Sequence, residues 1–288
     1  MRIYANAKIN WTLDITAKLP NGYHQMDMLM QPITLHDVIT LQKADSVSLT
    51  IEGNEALPVS DSNLCIKAFN ALAPYLPPSA GVHIHLEKHI PTGAGLGGGS
   101  SDAAAVLYGL NLLYGLLLPQ STLCQIGLAL GADIPFCLTG GLQRARGIGE
   151  CLTPIPGGRS YPLLVIKPPQ ELSTGKVFAA FEMERRENRP GQEAFIKALN
   201  AGDLAGLRSA SGNVLTPCSE ALCPAIRKAL DALNAHSAAF SAMSGSGNAV
   251  FGLFDSAQAR STAYAALSDE WLCYSADTTE RSLEICTN

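Results

Sequence analysis

A glycine-rich segment in the first half of the chain has the residue types of an anion-binding loop. Five glycines fall within positions 93–99, and Ser100-Ser101-Asp102 follow directly. Glycine permits positive φ and a close approach of another group, whereas serine and aspartate favour the first turn of a helix. The segment therefore predicts a strand end, a glycine loop and a helix N-terminus. At such a place, free backbone N–H groups and the helix dipole favour a phosphate.

Two other phosphate-binding loops fit this segment poorly. A P-loop requires Gly-Lys-Ser/Thr, which occurs nowhere in the chain. A G-x-G-x-x-G pattern does occur at Gly93, Gly95 and Gly98, but residues 82–87 alternate apolar and polar side chains. A dinucleotide site would instead follow a continuously apolar strand and have an acidic residue about 20 positions later. A glycine-rich surface turn is the ordinary alternative.

Two charged residues elsewhere in the chain are candidates for chemistry at a phosphate. Lys8 belongs to the polar set of an alternating N-terminal segment, which predicts a strand with one buried and one polar face. Pro135 biases Ile134 towards extended backbone, so Asp133 is predicted at a corner between a helix and a strand. A solvated lysine and a turn aspartate are the ordinary alternatives.

The predicted buried face of the N-terminal strand consists of Ile3, Ala5, Ala7, Ile9, Trp11, Leu13 and Ile15.

Composition limits the class of protein. The 288 residues are 47% hydrophobic and 16% charged, which is typical of a compact chain long enough for two domains. A net charge of −5 argues against nucleic-acid binding and against binding to an anionic membrane. Any phosphate must therefore be bound locally, by backbone groups and a few cations.

The cysteines and the uncharged segments predict a cytoplasmic protein without a membrane span. The eight cysteines form no C-x-x-C pair and no metal-binding pattern, and the N-terminus lacks the apolar region of a secretory signal. Residues 103–132 carry no charge, but Pro119-Gln120-Ser121-Thr122 divides them. We therefore expect two buried helices, one over 101–117 and one that Ser121 caps and Gly131 ends.

Mixed strands and helices predict an α+β architecture of two domains, 1–157 and 158–288, joined by a linker near 153–162. The predicted strands span 26–34, 38–41, 47–51, 82–86, 238–243, 249–254 and 271–276, and the predicted helices span 63–75, 192–200, 219–235 and 257–267.

Five motifs, taken together, resemble the signatures of the GHMP kinases. They are Ala7-Lys8-Ile9-Asn10, Asn21-Gly22-Tyr23-His24, the segment 95–104, the segment 131–136 and Met243-Ser244-Gly245-Ser246-Gly247. The resemblance implies a two-domain GHMP kinase fold. Its N-terminal domain would resemble ribosomal protein S5, its C-terminal domain would be ferredoxin-like, and nucleotide and substrate would meet in the cleft between them.

The resemblance also implies a donor site and catalytic roles. The donor would be ATP with Mg²⁺, whose protein ligands the sequence does not identify. Asp133 would be the general base, and Lys8 would counter the charge that develops during transfer. The implied ATP-binding residues are Pro91, Thr92, Gly93, Ala94, Gly95, Leu96, Gly97, Gly98, Gly99, Ser100 and Ser101, with the hydroxyls of the last two contacting phosphate or Mg²⁺.

For the acceptor, the resemblance is strongest to the branch of the family that phosphorylates a sugar alcohol linked to cytidine diphosphate. Tyr23 and Phe178 would stack on the base, and His24 would bind its hydrogen-bonding edge. Asn10 and Thr174 would contact the sugar alcohol or the diphosphate.

Two alternative functions remain open at this point. One is a GHMP kinase of the homoserine or mevalonate type. The other is a nucleotide-binding module without catalysis, which the presence of both Lys8 and Asp133 disfavours. The loop 244–247 is predicted as a hairpin connection whose small residues let the C-terminal domain close against the phosphates.

Overall fold

The computed structural model describes residues 1–20, 22–54, 56–157, 159–185 and 187–286. The strands are β1 Arg2–Lys18, β2 His24–Ala44, β3 Ser48–Glu52, β4 Gly81–Glu87, β5 Gln143–Gly147, β6 Cys151–Pro154, β7 Pro162–Lys167, β8 Phe240–Met243, β9 Val250–Leu253, β10 Leu272–Asp277 and β11 Leu283–Ile285. The α-helices are α1 Leu64–Leu72, α2 Gly98–Leu113, α3 Gln120–Leu130, α4 Ile134–Thr139, α5 Thr174–Ala180, α6 Gln192–Ala201, α7 Leu204–Ala210, α8 Thr216–Leu222, α9 Ala225–Ala235 and α10 Ala257–Leu267, with 3-10 turns at Ala73–Tyr75 and Met183–Arg185.

Two sheets organise these elements. In the larger sheet the strand order is β11-β1-β2-β4-β3, and β5 pairs with β2 and with β6. The smaller sheet has the order β10-β7-β9-β8 with antiparallel neighbours. β11 pairs with β1, so the end of the chain returns to the sheet in which it began. The boundary at 157/158 falls between β6 of the larger sheet and β7 of the smaller sheet, and it stays a prediction.

Strand β1 does not have the single apolar face that alternation predicts. Its register on β2 shifts between Asn6 and Lys8 and again between Asn10 and Thr12. Ala7, Ile9 and Trp11 consequently pack in a different cluster from the apolar residues at either end of the strand. β-bulges re-aim side chains in this way. The expected polar face is also buried, and Lys8 and Asn10 lie inside the protein.

Several predicted elements differ from the observed ones. Strands 26–34 and 38–41 are one continuous strand, β2. The helix predicted over 219–235 is broken before Pro224 into α8 and α9, since proline lacks the N–H that a continuing helix requires. Helix α3 begins after Pro119 rather than at Ser121, and it lies at the surface with few buried residues. The sequence patterns did not predict β5, β6, β11, α5 or α7.

An aromatic cluster joins the two sheets. Trp11 of β1 lies with its ring centroid 5.5–6.1 Å from those of Tyr161, Phe195, Phe240 and Phe251. Full burial of one such side chain contributes about 1.5–3 kcal/mol. This packing fixes the smaller sheet against β1, and thereby fixes the cleft that contains Lys8.

The described residues contain no helix long and apolar enough to cross a bilayer. All eight cysteines are free thiols.

Candidate active site

The glycine-rich segment forms the predicted loop between a strand and a helix. β4 ends at Glu87, and α2 begins at Gly98, three residues earlier than the predicted helix start at Ser101. Gly97 precedes the helix with φ +71°, in the left-handed region that favours glycine. The N–H groups of the first helical turn have no partner within the helix, so they are available to an anion.

Two cavities meet at this loop. One of about 410 Å³ is lined by loop residues 91–100 and by Pro58, Asn63 and Leu64. The other, of about 320 Å³, is lined by Lys8, Asp133 and other residues predicted for the site, namely Asn10, Thr174 and Phe178. Gly95, Gly97, Ser100 and Thr174 border both cavities. The two cavities are therefore adjacent, so a group could pass directly from a ligand in the first cavity to a ligand in the second.

Lys8 and Asp133 converge beside the loop. The Lys8 Nζ lies 3.5 Å from Asp133 Oδ2 and donates a hydrogen bond of 2.7 Å to Asn10 Oδ1. A Cβ on Gly97 would lie 3.0 Å from the Lys8 side chain, so only glycine leaves the lysine its path along the loop. The lysine side chain is 6% exposed and the aspartate side chain is 32% exposed. A buried cation and an accessible carboxylate thus face the same cavity.

Asp133 is positioned by two helices and not by the predicted corner between a helix and a strand. It lies between the end of α3 and the start of α4, and α4 follows it directly with Pro135 in its first turn. Proline is favoured in the first turn because the N–H groups there are unpaired in any helix. The expected extended segment after Asp133 was therefore wrong.

The loop 244–247 connects β8 and β9, as predicted, and packs directly on the glycine loop. The Ser244 hydroxyl donates to the Gly95 carbonyl at 2.9 Å and accepts the Asn10 N–H at 3.2 Å. A Cβ on Gly95 would lie 2.3 Å from the Ser244 carbonyl oxygen. The absence of a side chain at Gly95 therefore allows the loop 244–247 of the C-terminal domain to pack closely on the glycine loop.

Helix α5 and the start of β2 form the other side of the second cavity. The His24 ring stacks on Phe178 with centroids 5.2 Å apart and an interplanar angle of 29°. Burial, and then the nearby charge of Lys18, lowers the pKa of His24 below 6.5. The Thr174 and Ser246 hydroxyls are hydrogen bonded at 2.9 Å. Tyr23 is 60% exposed, and neither Tyr23 nor His24 is among the residues that line the cavity. Asn21 lies outside the described residues.

Ser101 is the one loop residue whose geometry disagrees with a phosphate contact. Its side chain is fully buried, and its hydroxyl donates to the Asn6 carbonyl at 2.8 Å. The hydroxyl therefore anchors α2 to β1. The neighbouring Ser100 borders both cavities and stays a candidate.

Sequence reasoning missed a buried charged group beneath the loop. Lys88 contacts both Asp37 and Asp102, and all three side chains are buried. From the sequence alone, Asp102 is predicted only to belong to the first turn of a helix. The one available signal was that Lys88 continues the alternating apolar set of the strand before the loop, because a lysine on that side must either reach solvent or find a carboxylate.

Comparison with known proteins identifies the class. The family models described as "GHMP kinases N terminal domain" and "GHMP kinases C terminal" match residues 63–141 and 195–272. The chain belongs to the GHMP kinase family and has its two-domain α+β fold, as predicted. As a member of that family it is a phosphotransferase that uses ATP as the donor and a hydroxyl as the acceptor.

Individual relatives show which members of the family this chain resembles. A 4-diphosphocytidyl-2-C-methyl-D-erythritol kinase of Alkaliphilus metalliredigens is 37% identical, over 93% of this chain and 92% of the relative. A solved 4-(cytidine 5'-diphospho)-2C-methyl-D-erythritol kinase superposes with a TM-score of 0.84 at 32% identity, over 96% of this chain and 99% of that one. The homoserine kinase of Cytophaga hutchinsonii has a TM-score of 0.77 over 99% and 96% of the two chains, but its 20% identity shows a common fold alone.

Proposed function

We propose that this chain transfers the γ-phosphoryl group of ATP to the 2-hydroxyl of 4-diphosphocytidyl-2-C-methyl-D-erythritol, a step of the non-mevalonate route to isoprenoid precursors. The observation that carries the proposal is the convergence of Lys8, Asp133 and the glycine loop on one cavity. The choice of acceptor is supported by the names of the relatives and by the group formed by His24 and Phe178.

ATP would occupy the cavity of about 410 Å³. The triphosphate would lie along the loop, where the free N–H groups at the start of α2 donate to its oxygens and the helix dipole favours its charge. Phosphoryl transfer depends mainly on such positioning and electrostatic stabilisation. The two shared glycines, Gly95 and Gly97, would place the γ-phosphoryl group at the border of the second cavity.

Asp133 would accept the proton of the acceptor hydroxyl as a new bond forms between that oxygen and the γ-phosphorus. The bond between the γ-phosphorus and the bridging oxygen breaks, and ADP leaves with the bond electrons. Lys8, held by Asn10 at 2.7 Å, would offset the negative charge on the transferring group. The bond to Asn10 fixes the ammonium group in place, so it requires no reorganisation during the reaction.

Mg²⁺ fits the oxygen donors present at the border of the two cavities. No cluster of three metal-binding side chains occurs among the described residues, but Mg²⁺ commonly binds through phosphates, waters and few protein oxygens. The Ser100 hydroxyl would be the protein oxygen nearest the phosphates. When bound, the ion would neutralise phosphate charge.

The cytosine base would be bound near His24 and Phe178. Phe178 would offer an aromatic face and His24 a hydrogen-bonding edge, with Tyr23 closing over the base from the exposed end of the hairpin. Asn10 and Thr174 would contact the polar remainder of the substrate.

An acceptor panel tests the proposal. The purified chain with Mg²⁺ and ATP should phosphorylate 4-diphosphocytidyl-2-C-methyl-D-erythritol and leave homoserine and mevalonate unchanged. Methylerythritol 4-phosphate, which lacks the cytidine group, is the matched control acceptor. Equal turnover of this control would contradict the base pocket, and turnover of homoserine or mevalonate alone would identify another GHMP kinase.

A further inference from the structure

A buried charged cluster lies beneath the glycine loop. The Lys88 ammonium contacts Asp37 Oδ2 and, at 2.6 Å, Asp102 Oδ2. The lysine side chain is 4% exposed, and the two carboxylates are 0% and 4% exposed. The three residues come from β2, from the stem that enters the loop and from α2, which leaves it.

The cluster joins the two stems of the loop. Lys88 lies three residues before Pro91, where the loop begins, and Asp102 lies near the start of α2. Asp37 Oδ1 also accepts the N–H groups of His89 at 2.6 Å and Ile90 at 2.7 Å. The separation of the entering and leaving stems is therefore set by contacts through one ammonium group.

The cluster also lies directly against the part of the loop assigned to the triphosphate. A Cβ on Gly98 would be 3.1 Å from Lys88 Nζ, and both Lys88 and Asp102 border the larger cavity. Gly98 is the first residue of α2, so its N–H is one of the free donors. A change in the position of the ammonium group would displace these donors.

Stability alone does not account for the cluster. It holds two carboxylates and one ammonium, and Asp102 Oδ1 has no hydrogen-bond partner within the described part of the chain. Burial, opposed by Lys88 and increased by Asp37, raises the pKa of the Asp102 carboxyl well above its usual range. Apolar replacements for buried ion pairs are often neutral or stabilising. The cluster therefore needs an explanation other than stability, and its position against the glycine loop indicates a role in nucleotide binding.

We propose that Lys88 is a positioning residue of the ATP site. Held between Asp37 and Asp102, it fixes the distance between the loop stems and thereby aligns the N–H groups at the start of α2 with the triphosphate. It also places a positive charge directly beneath the first residue of α2, in the part of the loop assigned to the triphosphate. This inference rests on the proposed function, because it assigns the loop to ATP.

Direct binding of Mg²⁺-ADP, measured by titration calorimetry, tests the proposal. Lys88→Met should raise the Kd for ADP by about tenfold or more, the size of effect given by loss of a bond to a charged group. The KM for ATP should rise similarly, whereas the KM for the acceptor should change by less than about threefold, since Lys88 borders only the nucleotide cavity. Unchanged ADP binding by a folded Lys88→Met would overturn the proposal.

A second pair of variants answers the same question if Lys88→Met does not fold. Asp102→Asn keeps an oxygen that accepts from the ammonium group, so ADP binding should stay within about threefold of wild type. Asp102→Ala removes the connection to α2, so ADP binding should weaken by about fivefold or more. Equal Kd values for the alanine and asparagine variants would overturn the proposal.

A second ion pair, more exposed than the cluster, controls for a general loss of stability. Arg260 contacts Asp277 at 2.9 Å in the smaller sheet and its helix α10, and neither residue lines the cavities of the site. Arg260→Met should lower the Tm without changing the Kd for ADP. If it weakened ADP binding as much as Lys88→Met does, Lys88 would have no special role. If the wild-type chain did not bind ADP, the assignment of the loop to ATP would itself fail, which separates the two claims.

Discussion

The contact between the glycine loop and the loop 244–247 makes one position far less tolerant of a methyl group than its neighbour. Gly93 and Gly95 both have positive φ, +64° and +75°. A non-glycine residue in the left-handed region costs about 1–2 kcal/mol, and alanine would bear this cost at either position. The two sites differ in their surroundings. A Cβ at Gly93 would meet nothing within 4 Å, whereas a Cβ at Gly95 would lie 2.3 Å from the Ser244 carbonyl oxygen.

The contact at Gly95 sets the magnitude of the difference. Because 2.3 Å is too short for any carbon–oxygen contact, one of the two loops must move in Gly95→Ala. The movement breaks the bond of 2.9 Å from the Ser244 hydroxyl to the Gly95 carbonyl, whose loss adds about 0.5–1.5 kcal/mol. We expect Gly93→Ala to lower the free energy of unfolding by about 1–2 kcal/mol. Gly95→Ala should lower it by about 1.5–3.5 kcal/mol, the sum of both losses.

Urea unfolding at equilibrium measures the stability difference, and steady-state kinetics measure its functional consequence. Gly95 borders both cavities, so Gly95→Ala should raise the KM for ATP and lower kcat together, whereas Gly93→Ala should retain most of the activity. If Gly95→Ala were as stable and as active as Gly93→Ala, the two loops would not be packed as described. The interpretation of the glycine loop as a docking surface for the C-terminal domain would then be wrong.

Three further predictions concern individual side chains. Tyr23→Ala should raise the KM for the cytidine-containing acceptor by about tenfold, the value of one stacking contact, and leave the KM for ATP unchanged; equal changes for both substrates would contradict its place at the base. By NMR titration, His24 should have a pKa below 6.5, and Phe178→Ala should raise it towards 6.5 because the ring becomes more solvated; a pKa that does not move would exclude burial against Phe178 as the cause. Asp102 has a folded-state pKa above its ordinary 3.8, so its contribution to stability is present at low pH and is lost as the pH rises towards the raised value. Asp102→Asn should therefore gain stability relative to wild type in urea unfolding as the pH rises above about 4, and a constant difference would show that the carboxyl does not hold its proton.

Local patterns were sufficient for the elements that carry their own signals. The glycine loop, the strand before it and helix α10 follow from turn residues, alternation and helix periodicity, and each lies where the sequence placed it. The short elements α5 and β5 have no strong pattern of their own. Their residues take up a regular structure because a neighbouring strand or domain contacts them.

The sequence predicts that Lys8, Asn10 and Asp133 belong to one site, and they line one cavity, but their roles stay predictions and their geometry depends on the fold. Lys8 and Asn10 share a face of β1, as alternation predicts, but both side chains are buried. Two register shifts on β2, one on each side of this pair, change the direction in which the middle of the strand points relative to its ends. A bulge depends on pairing with β2, where Pro32 lies opposite Lys8, and no single-strand pattern contains that information. The roles of Ser101 and Lys88 likewise depend on which side of α2 faces the sheet.

The central claim is that Asp133 accepts the proton of the acceptor hydroxyl and takes no part in holding the nucleotide, which binds in the cavity along the glycine loop. Asp133→Asn tests it most directly, since the amide has the same shape and cannot act as a base. We expect kcat to fall by about 100-fold or more, the usual contribution of a general base, while the Kd for Mg²⁺-ADP stays within about threefold of wild type. A variant that keeps kcat within about tenfold of wild type, or one that loses ADP binding together with turnover, would contradict the account.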